Sequence, residues 1–433
     1  MTAPVPHRPW GRFAACDRSC QAGAVCPSCV ESSCVPSLSS VSVGRALVSL
    51  AIGGFAIGTT EFVTMGILPE IAHGVSVDIP TAGSIVSAYA LGVVVGAPAI
   101  AMVGARVPRR VLLIGLMVAF AVFNAASAFA PNYGTLLAAR FLAGLPHGAY
   151  FGIASVVASA LVPPARRTWA TSMVLAGLTV ANIVGVPVAT ALGQRLGWGW
   201  PYGLVAVIAL LAAAAVWCFV PEAGGSAEAT IGSELSALRR PQVWLALLIG
   251  IVGFGGMFST FSYITPTMTT LAGFSTAAIP WVLIVYGIGM TTGAFLAGPV
   301  SRVGLLRGIF LSLAAIAALL SVFGYAAHSR LTALPAVFLL GVLPSILVPM
   351  LQTRLMDVAH EGQALAAALN HSTLNIANAV GAWLGGLVLA GGLGYEWPSR
   401  VGAFLALAGI GVTLASAALG RHTARSAARL QTS

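Results

Sequence analysis

Long apolar runs recur along this chain and alternate with short polar segments. Twelve of the runs reach about 20 residues, the length at which an α-helix crosses the hydrocarbon core of a bilayer. They fall near residues 46–68, 81–104, 111–130, 135–160, 169–192, 200–220, 243–266, 277–300, 307–327, 333–353, 364–390 and 400–420. The pattern predicts an all-α polytopic membrane protein with twelve transmembrane helices.

Composition agrees with the run pattern and excludes a soluble protein. Hydrophobic residues make up 58% of the chain and charged residues only 7%, whereas a soluble domain carries about 25% charged residues. The net charge of +10 could indicate nucleic-acid binding, but the arginines follow the predicted topology instead. If the N-terminus is cytoplasmic, 17 arginines fall on the cytoplasmic side and three, Arg195, Arg330 and Arg400, on the other. This asymmetry predicts that both termini are cytoplasmic, in a bacterial plasma membrane, and no nucleic-acid partner is expected.

The longest internal polar segment, residues 221–242, separates six predicted spans from six others. Shifting the sequence by 197 residues aligns Tyr89 with Tyr286 and Gly92 with Gly289, and related shifts of 198 and 196 align spans 4 with 10 and 5 with 11. An even number of spans per repeat predicts two parallel, pseudo-symmetric six-helix halves, residues 45–220 and 243–420. This is the organisation of a rocking transporter with its site between the halves.

The two ends of the chain are polar. Residues 421–433 form a predicted basic cytoplasmic tail, and residues 1–44 a predicted disordered cytoplasmic tail that contains five cysteines. Thiolates spaced as in Cys26 and Cys29 can bind zinc, so a zinc cluster is the alternative. Because no helical or strand pattern surrounds these cysteines, we expect no metal site.

Charged residues deep in the predicted membrane region are confined to the first half. Glu61 lies inside span 1 and Arg140 inside span 4, and His147 follows two turns after Arg140 on the same helical face. Under the repeat, Glu61 corresponds to Phe258, while the 198 shift places Phe338 at Arg140 and Ser345 at His147. A charge buried in hydrocarbon costs at least about 2.5 kcal/mol, so it marks a functional site by default.

Each of the three residues has a structural alternative. Arg140 could extend to the interface or bond carbonyls of a neighbouring helix, and His147 could satisfy backbone groups freed by Pro146. A purely structural role fits Glu61 least well of the three. The cost of burying a carboxylate falls only when it binds a proton or pairs with a cation. A site whose proton affinity changes as the cavity opens to either side would couple protons to transport. We therefore assign proton coupling to Glu61, Arg140 and His147.

The second half contributes aromatic, methionine and amide side chains. Aromatic rings and methionine suit a large apolar ligand, while a few amides fix its orientation. His371, Asn375 and Asn378 share one helical face because they are spaced four and three apart. Ordinary helix packing is the alternative. The predicted substrate cavity comprises Tyr89, Tyr150, Asn182, Met257, Phe258, Phe261, Tyr286, His371, Asn375 and Asn378.

Several stretches resemble one family of transporters. GTTEFVTMGILPEIA (58–72), RFLAGLPHGAYFGIASVVASALVPP (140–164) and LNHSTLNIANAVGAWLGG (369–386) look like the major facilitator superfamily. Within it, they are similar to twelve-span drug:proton antiporters related to arabinose efflux permeases and chloramphenicol-resistance exporters. The resemblance covers about residues 45–420 and implies alternating access.

The resemblance also implies roles for individual residues. Arg140 is similar to the family's span-4 arginine, which is linked to proton transfer, and Glu61 matches the acidic residue of span 1. Gly185 and Pro187 resemble the antiporter signature of span 5. Basic residues of the loop between spans 2 and 3 match a gating motif, namely Arg106, Arg109 and Arg110. Because Ala105 replaces the usual aspartate there, the cytoplasmic latch of this motif is expected to be built differently.

Together these features predict a secondary transporter that exports small, fairly apolar compounds, such as chloramphenicol-like antibiotics, in exchange for protons. We expect a monomer in the lipid bilayer, no cofactor besides the proton gradient and no enzymatic activity. A sugar or metabolite carrier on the same fold remains the alternative. A membrane-embedded enzyme is disfavoured because no His-Glu-x-x-His pair or aspartate cluster is present, and a channel because rings of charge are missing.

Overall fold

Twelve long helices, α1–α12, account for most of the computed structural model, which describes residues 40–104, 107–163, 166–222, 239–359 and 363–431. All twelve are long and apolar enough to cross a membrane, which confirms the predicted fold class. The N-terminal cysteines lie outside the described residues. The helices are Ser40–Gly66, Ile79–Gly104, Arg109–Ala128, Tyr133–Ala160, Arg167–Leu196, Trp200–Phe219, Pro241–Phe261, Ile279–Ser301, Leu305–Ala326, Arg330–Ala359, Gln363–Ala390 and Trp397–Gln431.

Helices α1 and α7 end earlier than their apolar runs predict. Each is followed by a separate short helix, Leu68–Gly74 after α1 and Ile264–Thr270 after α7. Each short helix contains a proline, which removes the amide donor that the preceding turn needs. At the other extreme, α12 runs to Gln431, beyond the predicted end of the last span.

A side chain from the second half bonds the backbone at the first of these breaks. Because Pro69 has no amide hydrogen, the carbonyl of Met65 loses its usual helical donor. The Thr265 hydroxyl reaches this carbonyl at 3.1 Å and that of Gly66 at 2.9 Å. The broken helix end is thereby joined to the other half of the chain, as unsatisfied backbone groups in a membrane protein require.

The buried side chains form two large apolar cores. One consists entirely of residues between Ala46 and Val220. The other consists mainly of residues between Ile249 and Ala406, and four residues of the first half join it: Phe62, Met65, Val86 and Val186. The two cores therefore follow the two sets of six helices, and the four first-half residues pack into the second core where the halves meet.

Matching glycines bring α2 against α4 and α8 against α10. A Cβ added to Gly92 would overlap the carbonyl oxygen of Phe141, and one added to Gly289 would overlap that of Phe338. The glycines of the partner helices make the equivalent contacts. A Cβ added to Gly144 would overlap the carbonyl oxygen of Tyr89, and one added to Gly341 would overlap that of Tyr286. Small residues allow this close backbone approach, which drives helix association in membranes.

These contacts correct the alignment of spans 4 and 10. Every member of the glycine pairs and of their carbonyl partners is 197 residues from its counterpart. The shift of 198 that placed Phe338 at Arg140 and Ser345 at His147 is therefore wrong by one residue. The positions equivalent to Arg140 and His147 are Val337 and Pro344, so the second half still carries no charge there.

Helix α5 contains a π-helical segment, Ala181–Gly185, between the α-helices Arg167–Val180 and Val186–Leu196. Such single-turn bulges in helices often occur at functional sites. The backbone of Asn182 lies in this bulge and contacts Gly287 of α8 so closely that a Cβ there would overlap it. The bulge, which the sequence pattern did not predict, therefore lies where the halves meet.

The halves meet mainly at one end of the bundle. We call the end that holds Ser40 the terminal end and the opposite end the distal end. Toward the distal end, Thr265 joins the end of α1, and Ser87 of α2 donates to the Ala379 carbonyl of α11 at 2.9 Å. Toward the terminal end, the described rings that meet across the halves are Phe151 of α4 and His371 of α11. The halves are thus closed together at the distal end.

We predict that alanine at Gly92 or Gly289 destabilises the bundle by about 1–3 kcal/mol, because overpacking forces the helices apart. Gly115→Ala is the matched control, since no atom lies within 4 Å of the added Cβ. The midpoint of detergent-induced unfolding measures the difference. Equal stability of all three variants would contradict the assigned packing.

Candidate functional site

Arg140 is enclosed by side chains from four other helices of the first half. Its side chain is 1% exposed. One terminal nitrogen donates to the Thr60 hydroxyl at 3.0 Å and to Oδ1 of Asn124 at 3.2 Å, and the other reaches the Thr60 carbonyl at 3.3 Å. The guanidinium also lies 4.3 Å from the ring centre of Tyr89 and 4.8 Å from that of Tyr202. Hydrogen bonds and two aromatic faces together stabilise the buried cation.

This environment distinguishes between the readings of Arg140. The side chain does not extend to an interface; it bonds a neighbouring helix, as the structural alternative anticipated. Its partners are also neutral, because no ion pair to Arg140 occurs among the described residues. Asn124 was missed by sequence reasoning, although a polar side chain deep in span 3 is a signal of the same kind that identified Glu61.

Glu61 follows Thr60 directly and has a different environment. Its side chain is half-buried, and in the described part of the chain no hydrogen bond or ion pair reaches its carboxylate. Arg140, Tyr89 and Tyr286 lie within electrostatic range, on α4, α2 and α8. The carboxylate therefore faces the interior between the halves, near the cation but not bound to it.

His147 connects this cluster to the second half. It is 4% exposed, and its Nδ1 lies 3.0 Å from the Tyr89 hydroxyl. Its ring meets Phe151 edge-on at 5.5 Å, and Phe151 in turn stacks on His371 at 6.0 Å. Tyr89 thus touches both Arg140 and His147, while Phe151 separates two imidazoles on opposite halves.

Four of the predicted second-half residues gather around Phe62, the residue that follows Glu61. Phe261 stacks on Tyr286 with ring centres 3.9 Å apart and meets Phe62 edge-on at 5.9 Å. The Tyr286 hydroxyl reaches the Met257 sulfur at 3.6 Å. Phe258, 5% exposed, belongs to the same core. The structure therefore brings these four predicted second-half residues together with Phe62, next to the acid.

The amides of α11 are buried but not fully used. Asn378 is 1% exposed, and neither its oxygen nor its nitrogen has a partner. Asn375 uses its nitrogen on the His371 carbonyl at 3.0 Å, which leaves its oxygen without a donor. Asn182, the repeat counterpart of Asn378, donates to the Leu178 carbonyl at 2.9 Å. Buried polar groups are normally paired, so α11 presents hydrogen-bonding capacity to a ligand or to water.

Other predicted residues lie apart from this cluster. Tyr150 is fully buried against α1, where its hydroxyl donates to the Leu50 carbonyl at 2.9 Å. Gly185 lies on the Thr59 hydroxyl, and Pro187 is buried just after the π-helical segment. Gly185 therefore lies at the α1–α5 contact.

The basic loop residues also lie apart, at the terminal end. Arg110 bonds the Trp217 carbonyl and lies 3.7 Å from Glu222, so neither of these contacts reaches the second half. Arg109 begins α3 nearby. Arg106 lies outside the described residues.

A cleft at the distal end was not predicted. It measures about 390 Å³ and lies between the short helix Leu68–Gly74 and the end of α5, lined by Glu70, His73, Gln194 and Trp198, among others. Oε2 of Glu70 and Nε2 of Gln194 are buried there without a partner. No sequence signal pointed to it, because its residues are far apart in the chain.

The cleft makes stability depend on pH. Burial raises the pKa of Glu70 above its ordinary 4.5, and a backbone hydrogen bond offsets part of this effect. The folded chain then holds this proton more tightly than the unfolded chain. The stability that protonated Glu70 contributes is complete below about pH 4.5 and is lost as the pH rises through the higher folded-state pKa.

We predict that Glu70→Gln raises the melting temperature at pH 8 and that this gain shrinks toward zero as the pH falls to about 4, because glutamine does not titrate. Thermal unfolding at several pH values measures the effect. Glu222→Gln is the control, since that side chain is 78% exposed. A gain that is constant with pH would contradict the assigned titration.

Comparison with known proteins agrees with this architecture. A model of the Major Facilitator Superfamily matches residues 50–364. The chain is 39% identical over 363 residues to the inner membrane transport protein YdhP of Escherichia coli K12, covering 83% of this chain and 92% of the relative. It is 33% identical over 362 residues to a chloramphenicol resistance protein of Streptomyces lividans, covering 81% and 91%.

A solved structure shows the same fold at low identity. The crystal structure of a bacterial homologue of the human lysosomal transporter Spinster, inward-facing and unoccupied, aligns with a TM-score of 0.64 at 16% identity, covering 88% of this chain and 96% of the other. The family match spans well over half of the chain, and two relatives exceed 30% identity over most of it. The chain therefore belongs to the Major Facilitator Superfamily.

Proposed function

We propose that this transporter exports small, fairly apolar compounds in exchange for protons, with Glu61 as the proton carrier. The single observation that carries the proposal is the contrast between two neighbouring groups. Both terminal nitrogens of Arg140 donate to neutral partners, whereas the carboxylate of Glu61, on the residue next to Thr60, has no hydrogen-bond or ion-pair partner among the described residues. A carboxylate without a partner in such a place favours a proton that can come and go.

The distribution of contacts between the halves supports alternating access. The described halves are joined by hydrogen bonds at the distal end and by one ring stack toward the terminal end. If the terminal end is cytoplasmic, as the arginines indicate, this conformation faces inward. Separation of Thr265 from Gly66 and of Ser87 from Ala379 would accompany the outward-facing state.

The surroundings of Glu61 indicate the kind of substrate. Phe62, Phe261 and Tyr286 offer aromatic faces, and Asn378, on α11 of the other half, offers an unused donor and acceptor. Such a site suits an amphipathic compound with neutral hydrogen-bonding groups. One relative carries the name of a chloramphenicol resistance protein, which is consistent with a compound of that kind. A sugar could use the same amides and could also stack on the rings, so the growth panel described below decides between the two substrate classes.

We predict that Glu61→Gln abolishes efflux driven by a pH gradient, because glutamine cannot exchange a proton, while insertion and folding persist. The measurement is substrate uptake into inverted vesicles with an imposed pH gradient. Glu70→Gln is the matched control, since it changes the same functional group nine residues further on, outside this cluster. Undiminished gradient-driven transport by Glu61→Gln would refute the proton-carrier role.

The substrate is found first by growth of a pump-deleted host that expresses the chain, across a panel of antibiotics, dyes and sugars. For the compound so identified, we predict that Asn378→Ala raises the KM about tenfold through a lost hydrogen bond. Asn182→Ala should change the KM less, because that amide bonds its own helix. Equal effects of the two substitutions would remove Asn378 from the substrate site. Resistance to sugars alone would favour the metabolite carrier.

A further inference from the structure

A groove between α1 and α6 opens toward the surrounding membrane near the terminal end. It measures about 370 Å³, and its walls are almost entirely apolar, from Gly44, Val48 and Ile52 on α1 and Ala215 and Phe219 on α6. Both walls belong to membrane-spanning helices. Val48 is 60% exposed and Phe219 43%, so the groove lies where lipid chains contact the protein.

A single arginine stands at one end of this groove. Arg45 is exposed, and its guanidinium carbon lies 5.9 Å from the ring centre of Phe219. Within the described ranges, no carboxylate pairs with it. The acid closest in sequence to the groove, Glu222, lies 3.7 Å from Arg110 instead. The groove therefore combines an apolar bed with an unneutralised cation.

We propose that this groove binds one anionic phospholipid, with an acyl chain against Val48, Ile52 and Phe219 and the phosphate beside Arg45. Within the membrane, an apolar groove is most favourably filled by hydrocarbon, such as the acyl chain of a lipid. Basic residues between or beside membrane helices attract anionic headgroups. The charge is what distinguishes this site from ordinary lipid contact, because a zwitterionic lipid would match the groove but gain less from Arg45.

Two pairs of variants separate the chain-binding groove from the headgroup-binding charge. Gly44→Leu fills the groove, since no atom lies within 4 Å of a Cβ at Gly44. Gly115→Leu is its control, another exposed helical glycine with the same open space but outside the groove. Arg45→Gln removes the charge, and Arg302→Gln removes an exposed arginine at the terminal end of α8, outside the groove.

The experiment is native mass spectrometry of the detergent-purified full chain titrated with phosphatidylglycerol or phosphatidylcholine. We expect the wild type to retain one phosphatidylglycerol in preference to phosphatidylcholine. Arg45→Gln should lower the retained phosphatidylglycerol at least about threefold and abolish the preference, and Gly44→Leu should lower retention of either lipid. Both controls should match the wild type.

Two outcomes would overturn the proposal. One is equal retention of both lipids by the wild type, which would show that Arg45 does not select an anionic headgroup. The other is an equal loss in Arg302→Gln and Arg45→Gln, which would mean that any arginine of this surface attracts the lipid. Melting temperatures of all four variants confirm that each is folded.

Discussion

The buried guanidinium of Arg140 is the interaction on which the first half depends. A cation in the membrane is tolerated only if its surroundings replace water, and here α1, α2, α3 and α6 each supply a partner to a residue of α4. Two of these partners bond each other, since the Thr60 hydroxyl donates to Asn124 at 2.7 Å. A third, Tyr202, is positioned by Thr64, whose hydroxyl lies 3.0 Å from the Tyr202 hydroxyl. Helix positions in this half are therefore fixed by a polar centre as well as by apolar packing.

The second half reaches the same arrangement without such a centre. The glycine contacts of α8 and α10 repeat those of α2 and α4, but Val337 occupies the position of Arg140, and the counterparts of Thr60 and Asn124 are Met257 and Ser321. In the second half, close backbone approach and apolar packing therefore take the place of the polar centre. The charge is an addition to the first half, which indicates that its role goes beyond holding helices together.

Much of this could be predicted because the relevant signals are local. Span length, arginine placement and the spacing of glycines each appear directly in the sequence, and they predicted twelve helices and a repeat. The hydrogen-bond partners of Arg140, by contrast, lie 16 and 80 residues away. The sequence could therefore place Glu61 and Arg140 inside spans of the same half but could not show that neutral groups bind the arginine. The π-helical segment, the Glu70 cleft and the α1–α6 groove depend likewise on distant helices meeting.

The neutral enclosure of Arg140 bears directly on the proposed mechanism. If Glu61 and Arg140 formed an ion pair, protonation of the acid would break that pair. The buried cation would then have no partner, which costs several kcal/mol. Because Thr60, Asn124 and two aromatic rings already stabilise the cation, the proposed gain or loss of a proton on Glu61 would leave the contacts of Arg140 in place. The electrostatic effect of Arg140 on Glu61 would then stay the same throughout the cycle. What would change is the group that reaches the carboxylate, either water from the open side or a substrate lying against Phe62 and Tyr286. A proton carrier needs this independence, and the second half, with Phe258 in place of the acid, lacks both members of the arrangement.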